Sequence, residues 1–129
     1  MPYILYKSNN SIFTTVDDAT LDTTTDLSFV GRNYSGYGQA VNDNFLKLLE
    51  NFANSTPPSS PLIGELWYDT STGRLNVNYG GNNKSFKSLA NLYVGSKINP
   101  PKAALTNEGD LWWDSTDGQL WAKYGSEYI

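Results

Sequence analysis

The chain has 129 residues, 9 of them Lys or Arg and 13 Asp or Glu, for a net charge of −4, and it contains neither histidine nor cysteine. That composition excludes disulfides, thiolate metal sites and the commonest general base. The few scattered basic residues argue against a nucleic-acid surface, whose affinity comes from neutralising phosphates.

No apolar run approaches the ~20 residues of a membrane-spanning helix. Residues 1–7 are too short and lack the basic lead of a signal peptide. The expected place of synthesis and assembly is a cytoplasm, with no membrane insertion and no cofactor. High aromatic content with abundant Asn, Thr and Ser suits a β-rich assembly with polar, uncharged faces.

Residues 3–6 and 12–16 read as two short strands around a turn that Asn9-Asn10 supplies. Residues 17–26, rich in Thr and Asp, read as an exposed connection with a short extended piece at 19–21. Leu27-Ser28-Phe29-Val30 is a third short strand, stopped by Gly31. Residues 31–38 form a glycine-rich loop ahead of a helix. Helix N-termini bind anions, but this loop lacks the Lys-Ser/Thr ending and the βαβ setting of a phosphate loop. A tight turn with Ser35 or Gly36 as N-cap is the simpler reading.

Residues 37–52 predict the one convincing helix, with Tyr37, Ala40, Val41, Phe45, Leu48, Leu49 and Phe52 on its apolar face. Val41, Phe45, Leu48 and Phe52 are spaced four, three and four, as in a coiled-coil seam. Two readings stand side by side. Either the helix lies on its own amino-terminal strands, or copies of it pack together at a symmetry axis. Asn54 is expected to cap the helix in a left-handed conformation. Pro57, Pro58 and Pro61 then make residues 54–61 a stiff linker and a domain boundary.

Beyond the linker the chain writes one stretch twice. Gly64-Glu65-Leu66-Trp67-Tyr68-Asp69 returns as Gly109-Asp110-Leu111-Trp112-Trp113-Asp114, and the offset of 45 also carries Gly73 to Gly118, Leu75 to Leu120 and Tyr79-Gly80 to Tyr124-Gly125. A repeat of this length signals an array of supersecondary units. Each copy reads as a β-hairpin whose turn spans 69–73 or 114–118. Alternation puts Leu111, Trp113, Leu120, Ala122 and Tyr124 on one face, taken as core together with the equivalent Leu66, Tyr68, Leu75, Val77 and Tyr79. Trp112 and Trp121 fall on the opposite face, where the first copy has Trp67 and Asn76. A hairpin apolar on both faces wants a second surface.

A third strand is expected at Phe86 and at Tyr128, after turns at 81–84 and 125–127. The first unit continues through Leu89, Leu92, Tyr93 and Val94, whereas the second stops at Ile129, so the second is expected to continue in a longer protein. The fold expected is α+β, mostly β. A head at 1–55, with short strands and one central helix, serves docking and oligomerisation. Two tandem three-stranded antiparallel modules follow, at 56–99 and 100–129.

The carboxylates Glu65, Asp69, Glu108, Asp110, Asp114 and Asp117 invite an active-site or metal reading. The repeat argues against it, because Asp69 and Asp114 sit at equivalent turn positions where Asx-turn bonding explains them. Glycosidase carboxylate pairs need a cleft between them. The 114–118 segment also lacks the ligand spacing of a calcium loop. A cell-wall hydrolase using two of Asp110, Asp114 and Asp117 ranks last, and no catalytic or metal residue is assigned. Trp67, Trp112 and Trp121 are candidates for stacking on sugars, against the plainer role of core or interface anchors. Acceptor motifs for N-glycosylation begin at Asn9, Asn33, Asn54 and Asn83, and without a secretory signal they carry no meaning.

With these residues in view, the chain resembles fibre-like or baseplate-associated structural proteins of contractile-tailed, T4-like bacteriophages. The residues that carry the resemblance are 30–38 (Val-Gly-Arg-Asn-Tyr-Ser-Gly-Tyr-Gly), Asn42-Asp43-Asn44-Phe45, 48–54, and the modules at 64–70 and 109–115. It departs from the usual module at Asn78 and at Trp121-Ala122-Lys123. The resemblance implies a non-enzymatic virion component anchored by its front segment to other tail or baseplate proteins. The expected assembly is a homotrimer meeting through Val41, Phe45, Leu48, Phe52, Trp112 and Trp121. The alternative is an array of carbohydrate-binding modules that recognise host-surface glycans through Trp67, Trp112 and Trp121.

Overall fold

The computed structural model describes residues 1–80, 85–89, 92–98, 100, 101, 106 and 108–129. The turn expected at 81–84, with the acceptor motif at Asn83, lies outside the described residues. The fold is α+β and mostly β, with one helix among eleven short strands in the described residues. Residues divide into two compact units, Met1–Lys87 and Ser88–Ile129. The boundary expected at 55/56 therefore falls inside the first unit.

In that unit, β1 (Tyr3–Tyr6) and β2 (Ile12–Val16) form the expected antiparallel hairpin, with a bulge between Leu5 and Tyr6. Asn10 turns it in the left-handed region at φ 69°, which Asn tolerates better than most residues. β3 (Leu21–Asp22) pairs with β4 (Phe29–Val30). The Phe13 and Phe29 rings meet edge to face at 6.1 Å, and Val16 is buried at 2% exposure. Gly31 is where two backbones touch: a Cβ there would lie 2.0 Å from the Asp17 carbonyl oxygen. Its N–H donates to the Thr20 carbonyl at 2.8 Å. The close approach, not an anion, explains the first glycine of the loop.

Helix α1 (Tyr37–Leu49) starts at Gly36, as expected, with no side-chain cap. It ends three residues earlier than its apolar pattern suggests. Asn51 and Phe52 are both left-handed, at φ 50° and 54°, and the Phe52 N–H closes the helix end on the Lys47 carbonyl at 2.9 Å. The left-handed cap is thus Asn51-Phe52 and not Asn54. A left-handed phenylalanine costs about 1–2 kcal/mol. What offsets it is the route the chain then takes. The Asn51 carbonyl accepts the Tyr68 N–H at 2.9 Å, the Asn54 N–H donates to the Tyr68 carbonyl at 3.2 Å, and the Asn54 carbonyl accepts the Thr70 N–H at 3.1 Å. Asn54 forms a parallel bridge with Asp69, so the helix exit becomes an edge of the first module.

Nor is 54–61 a free linker. The Ser60 N–H donates to Asp26 Oδ1 at 2.9 Å, and Pro61 is fully buried. The Leu62 carbonyl accepts the side-chain amide of Asn78 at 3.0 Å. Asn78, one of the departures from the expected module, is fully buried. It satisfies its side-chain oxygen through the Gly80 N–H at 3.2 Å.

The first module is a sheet of order β5 (Leu66–Asp69), β6 (Arg74–Asn78), β7 (Phe86–Ser88). The second unit holds a four-stranded sheet of order β11 (Glu127–Tyr128), β10 (Gln119–Tyr124), β9 (Leu111–Asp114), β8 (Leu92–Gly95). β10 is antiparallel to both β9 and β11, but β8 lies parallel to β9. Leu92, Tyr93 and Val94 are thus not the tail of the first module. They are the first strand of the second, which makes its sheet mixed rather than purely antiparallel.

Candidate functional site

The repeat unit is the hairpin together with part of the segment before it, a single bridge at Asn54 in the first copy and the strand β8 in the second, and the two copies share their main fastening bonds. Gly64 and Gly109, at φ 90° and 85°, donate their N–H to Asn78 and Lys123 at 2.7 and 3.0 Å. The turn glycines Gly73 and Gly118, at φ 69° and 66°, donate to the Asp69 and Asp114 carbonyls, each at 2.8 Å. Such φ values favour glycine because it has no Cβ.

Tryptophan fastens the preceding segment to the hairpin. Trp67 Nε1 donates to the Asn54 carbonyl and Trp112 Nε1 to the Gly95 carbonyl, both at 3.2 Å. The same two carbonyls accept the N–H of Thr70 and Ser115. Each ring then meets the last strand edge to face: Trp67 against Phe86 and Trp112 against Tyr128, both at 5.3 Å. Trp112 also stacks on Trp121 at 6.4 Å. Burying a ring of this size removes on the order of 200 Å² from water, worth about 5 kcal/mol before entropy is counted.

This geometry inverts the expected faces. Trp67 and Trp112 keep only 8% and 7% of their surface, Trp121 is half-buried, and Tyr93 is buried beside Trp112 in register. Trp113, expected in the core, is 42% exposed, and Leu111, Leu120 and Tyr124 share its open face; in the first module Leu66, Tyr68 and Tyr79 are likewise exposed. The indole decides the orientation. Only the Trp67/Trp112 position can both reach the preceding carbonyl and cover the last strand. A sugar platform must show a ring face to solvent, and Trp67 and Trp112 do not. Trp112 spends its ring within its own sheet, while Trp121 keeps part of its surface open.

The carboxylates serve turns. Asp69 Oδ1 accepts the N–H and hydroxyl of Ser71 at 2.9 and 2.6 Å. Burial raises its pKa, but the bonds from Ser71 and Thr72 outweigh this and hold it below the usual carboxylate range. Asp114 is fully buried, and its Oδ1 accepts the Thr116 N–H at 2.9 Å. Asp117 pairs with Lys97 at 2.9 Å, and Asp110 is 5% exposed. Among the described residues no three acidic side chains cluster as metal ligands.

On α1 the polar side does the attaching. Asn44 bonds the Ser28 peptide twice, accepting its N–H at 2.9 Å and donating to its carbonyl at 2.6 Å. Lys47 Nζ donates to the Asp26 carbonyl at 3.1 Å. Ala40 is buried and Val41 half-buried, whereas Phe45, Leu48 and Leu49 are 63%, 50% and 82% exposed. Of the expected seam, Val41, Phe45 and Leu48 remain on the helix, and Phe52 sits half-buried beyond its end.

One pair of carboxylates escaped the sequence reading. Asp26 Oδ2 and Glu65 Oε2 are both buried without a partner outside the pair, and burial followed by the Asp26 hydrogen bond and charge pushes Glu65 up to about 8. Nothing in the spacing of 26 and 65 signals this, because the fold of the 54–64 segment brings them together.

The chain matches no protein-family model, no curated protein and no solved structure. No helix among the described residues is long and apolar enough to cross a membrane.

Proposed function

We propose that the chain is a non-enzymatic structural component of a bacteriophage virion, a tail-fibre or baseplate-associated protein that works as a homotrimer. Its front segment docks on other tail or baseplate proteins, and its modules lead outward. The observation that carries this reading is the duplicated hairpin, each copy fastened by a tryptophan indole N–H to a carbonyl of the segment before it, Asn54 for Trp67 and Gly95 for Trp112. Repetition of one supersecondary unit along the chain suits an extended structural array more than a single active site.

The apolar stripe of Val41, Phe45 and Leu48 supports self-association of the front segment. The turn bond of Asp114 and the pairing of Asp117 with Lys97 favour a non-catalytic role. Immunogold labelling of purified phage particles with antibody raised against this chain tests the reading. Label on the tail or baseplate is expected, and particles free of label overturn it.

A further inference from the structure

The second module leaves one sheet face bare. Register places Leu92 and Val94 of β8, Leu111 and Trp113 of β9, and Leu120 and Tyr124 of β10 on the same side. Their exposures are 53%, 71%, 37%, 42%, 57% and 67%. These six side chains carry no charge and only two polar atoms, the Trp113 indole N–H and the Tyr124 hydroxyl. We propose that this face is where copies of this chain meet, each copy turning it inward toward a common axis.

Two observations select that occupant. The first is area. With about 150 Å² for each aliphatic chain and about 250 Å² for each aromatic one, those exposures amount to on the order of 600 Å², the larger part of the ~800 Å² per partner of a stable protein–protein interface. The second is chemistry. The centre of this face supplies neither the counter-charges nor the hydrogen-bond partners that a glycan or a charged peptide needs, and its one carboxylate, the exposed Glu127 opposite Tyr124 on the edge strand β11, can stay in water while identical apolar centres meet. The first module repeats the feature, with Leu66 and Leu111, Tyr68 and Trp113, and Tyr79 and Tyr124 equivalent and exposed.

This inference rests on the self-association in the proposed function but assigns it a different surface from α1. The test uses the full chain. Leu120→Lys and, separately, Val94→Lys place a charge on the face at exposed positions where a long side chain leaves the fold intact, which an unchanged circular dichroism melt verifies. Mass by light scattering is read with tryptophan emission over a concentration series. The wild type is expected to associate, and its emission to shift to shorter wavelength as Trp113 is covered. Trp113→Phe is expected to abolish that shift, and either Lys variant to lower the mass toward the monomer. An oligomer that survives both Lys substitutions overturns this proposal and leaves the self-association reading standing. A wild-type chain that is monomeric at every concentration overturns both.

Discussion

Trp112→Phe isolates the fastening of a module to the segment before it. The substitution keeps an aromatic ring against Tyr128 and Trp121 but removes the indole N–H that reaches the Gly95 carbonyl at 3.2 Å. That carbonyl still holds the Ser115 N–H at 2.9 Å, so the hydrogen-bond loss is about 1 kcal/mol rather than the cost of an orphaned acceptor. The smaller ring leaves a void of about 40 Å³, worth another ~1 kcal/mol at roughly 24 cal/mol per Å³. Together these destabilise β8 on β9 by about 2 kcal/mol, or about 30-fold faster local opening. Hydrogen exchange read by mass spectrometry should show that acceleration in peptides covering Leu92–Gly95, with peptides from Met1–Lys87 unchanged. Trp112→Ala should cost about 3–5 kcal/mol, comparable with the whole stability a unit of this size commands, and release all of Ser88–Ile129. Unaltered exchange over β8 in Trp112→Phe would refute the fastening role.

Other outcomes follow from other parts of the chain. Glu65 titrates near 8 in the fold against ~4.3 when unfolded. Its contribution is therefore fully present below the unfolded value and is lost as pH rises through about 8. The urea midpoint of the first unit should fall between pH 5 and 8.5, and Glu65→Gln should remove that slope; the same slope in the variant would contradict the assignment. Gly31→Ala drives a Cβ to 2.0 Å from the Asp17 oxygen and should cost about 3 kcal/mol, the upper range for overpacking, read as a lowered thermal midpoint. Asn51→Gly should keep or raise stability and Asn51→Ala lower it by about 1 kcal/mol, because φ is 50° there; equal melting of the two variants would contradict the left-handed cap.

The hairpins were legible because the signals that make them are local: Gly73 and Gly118 at positive φ, Asp69 and Asp114 bonding their own turns, and strict alternation between. Which face turns inward was not legible. Alternation separates Trp112 from Trp113 but does not say which side the rest of the chain covers, and that is settled by a bond from Trp112 to Gly95, far away in sequence. The end of α1 was missed for a similar reason. Phe52 continues the apolar spacing, yet it leaves the helix because Asn51 and Asn54 gain backbone partners on β5. The Asp26–Glu65 pair has no sequence signature at all, since it depends on how residues 54–64 return past the loop at 26.

Sedimentation equilibrium of the full chain, wild type against Phe45→Asp, tests the central claim of a self-associating structural protein most directly. Phe45 is 63% exposed, so the substitution leaves the subunit folded, while an unpaired carboxylate in an apolar contact costs several kcal/mol of association. The wild type should sediment at three times the mass of one chain, and Phe45→Asp should shift the equilibrium toward smaller species. A well-folded wild-type monomer at every concentration would contradict the account.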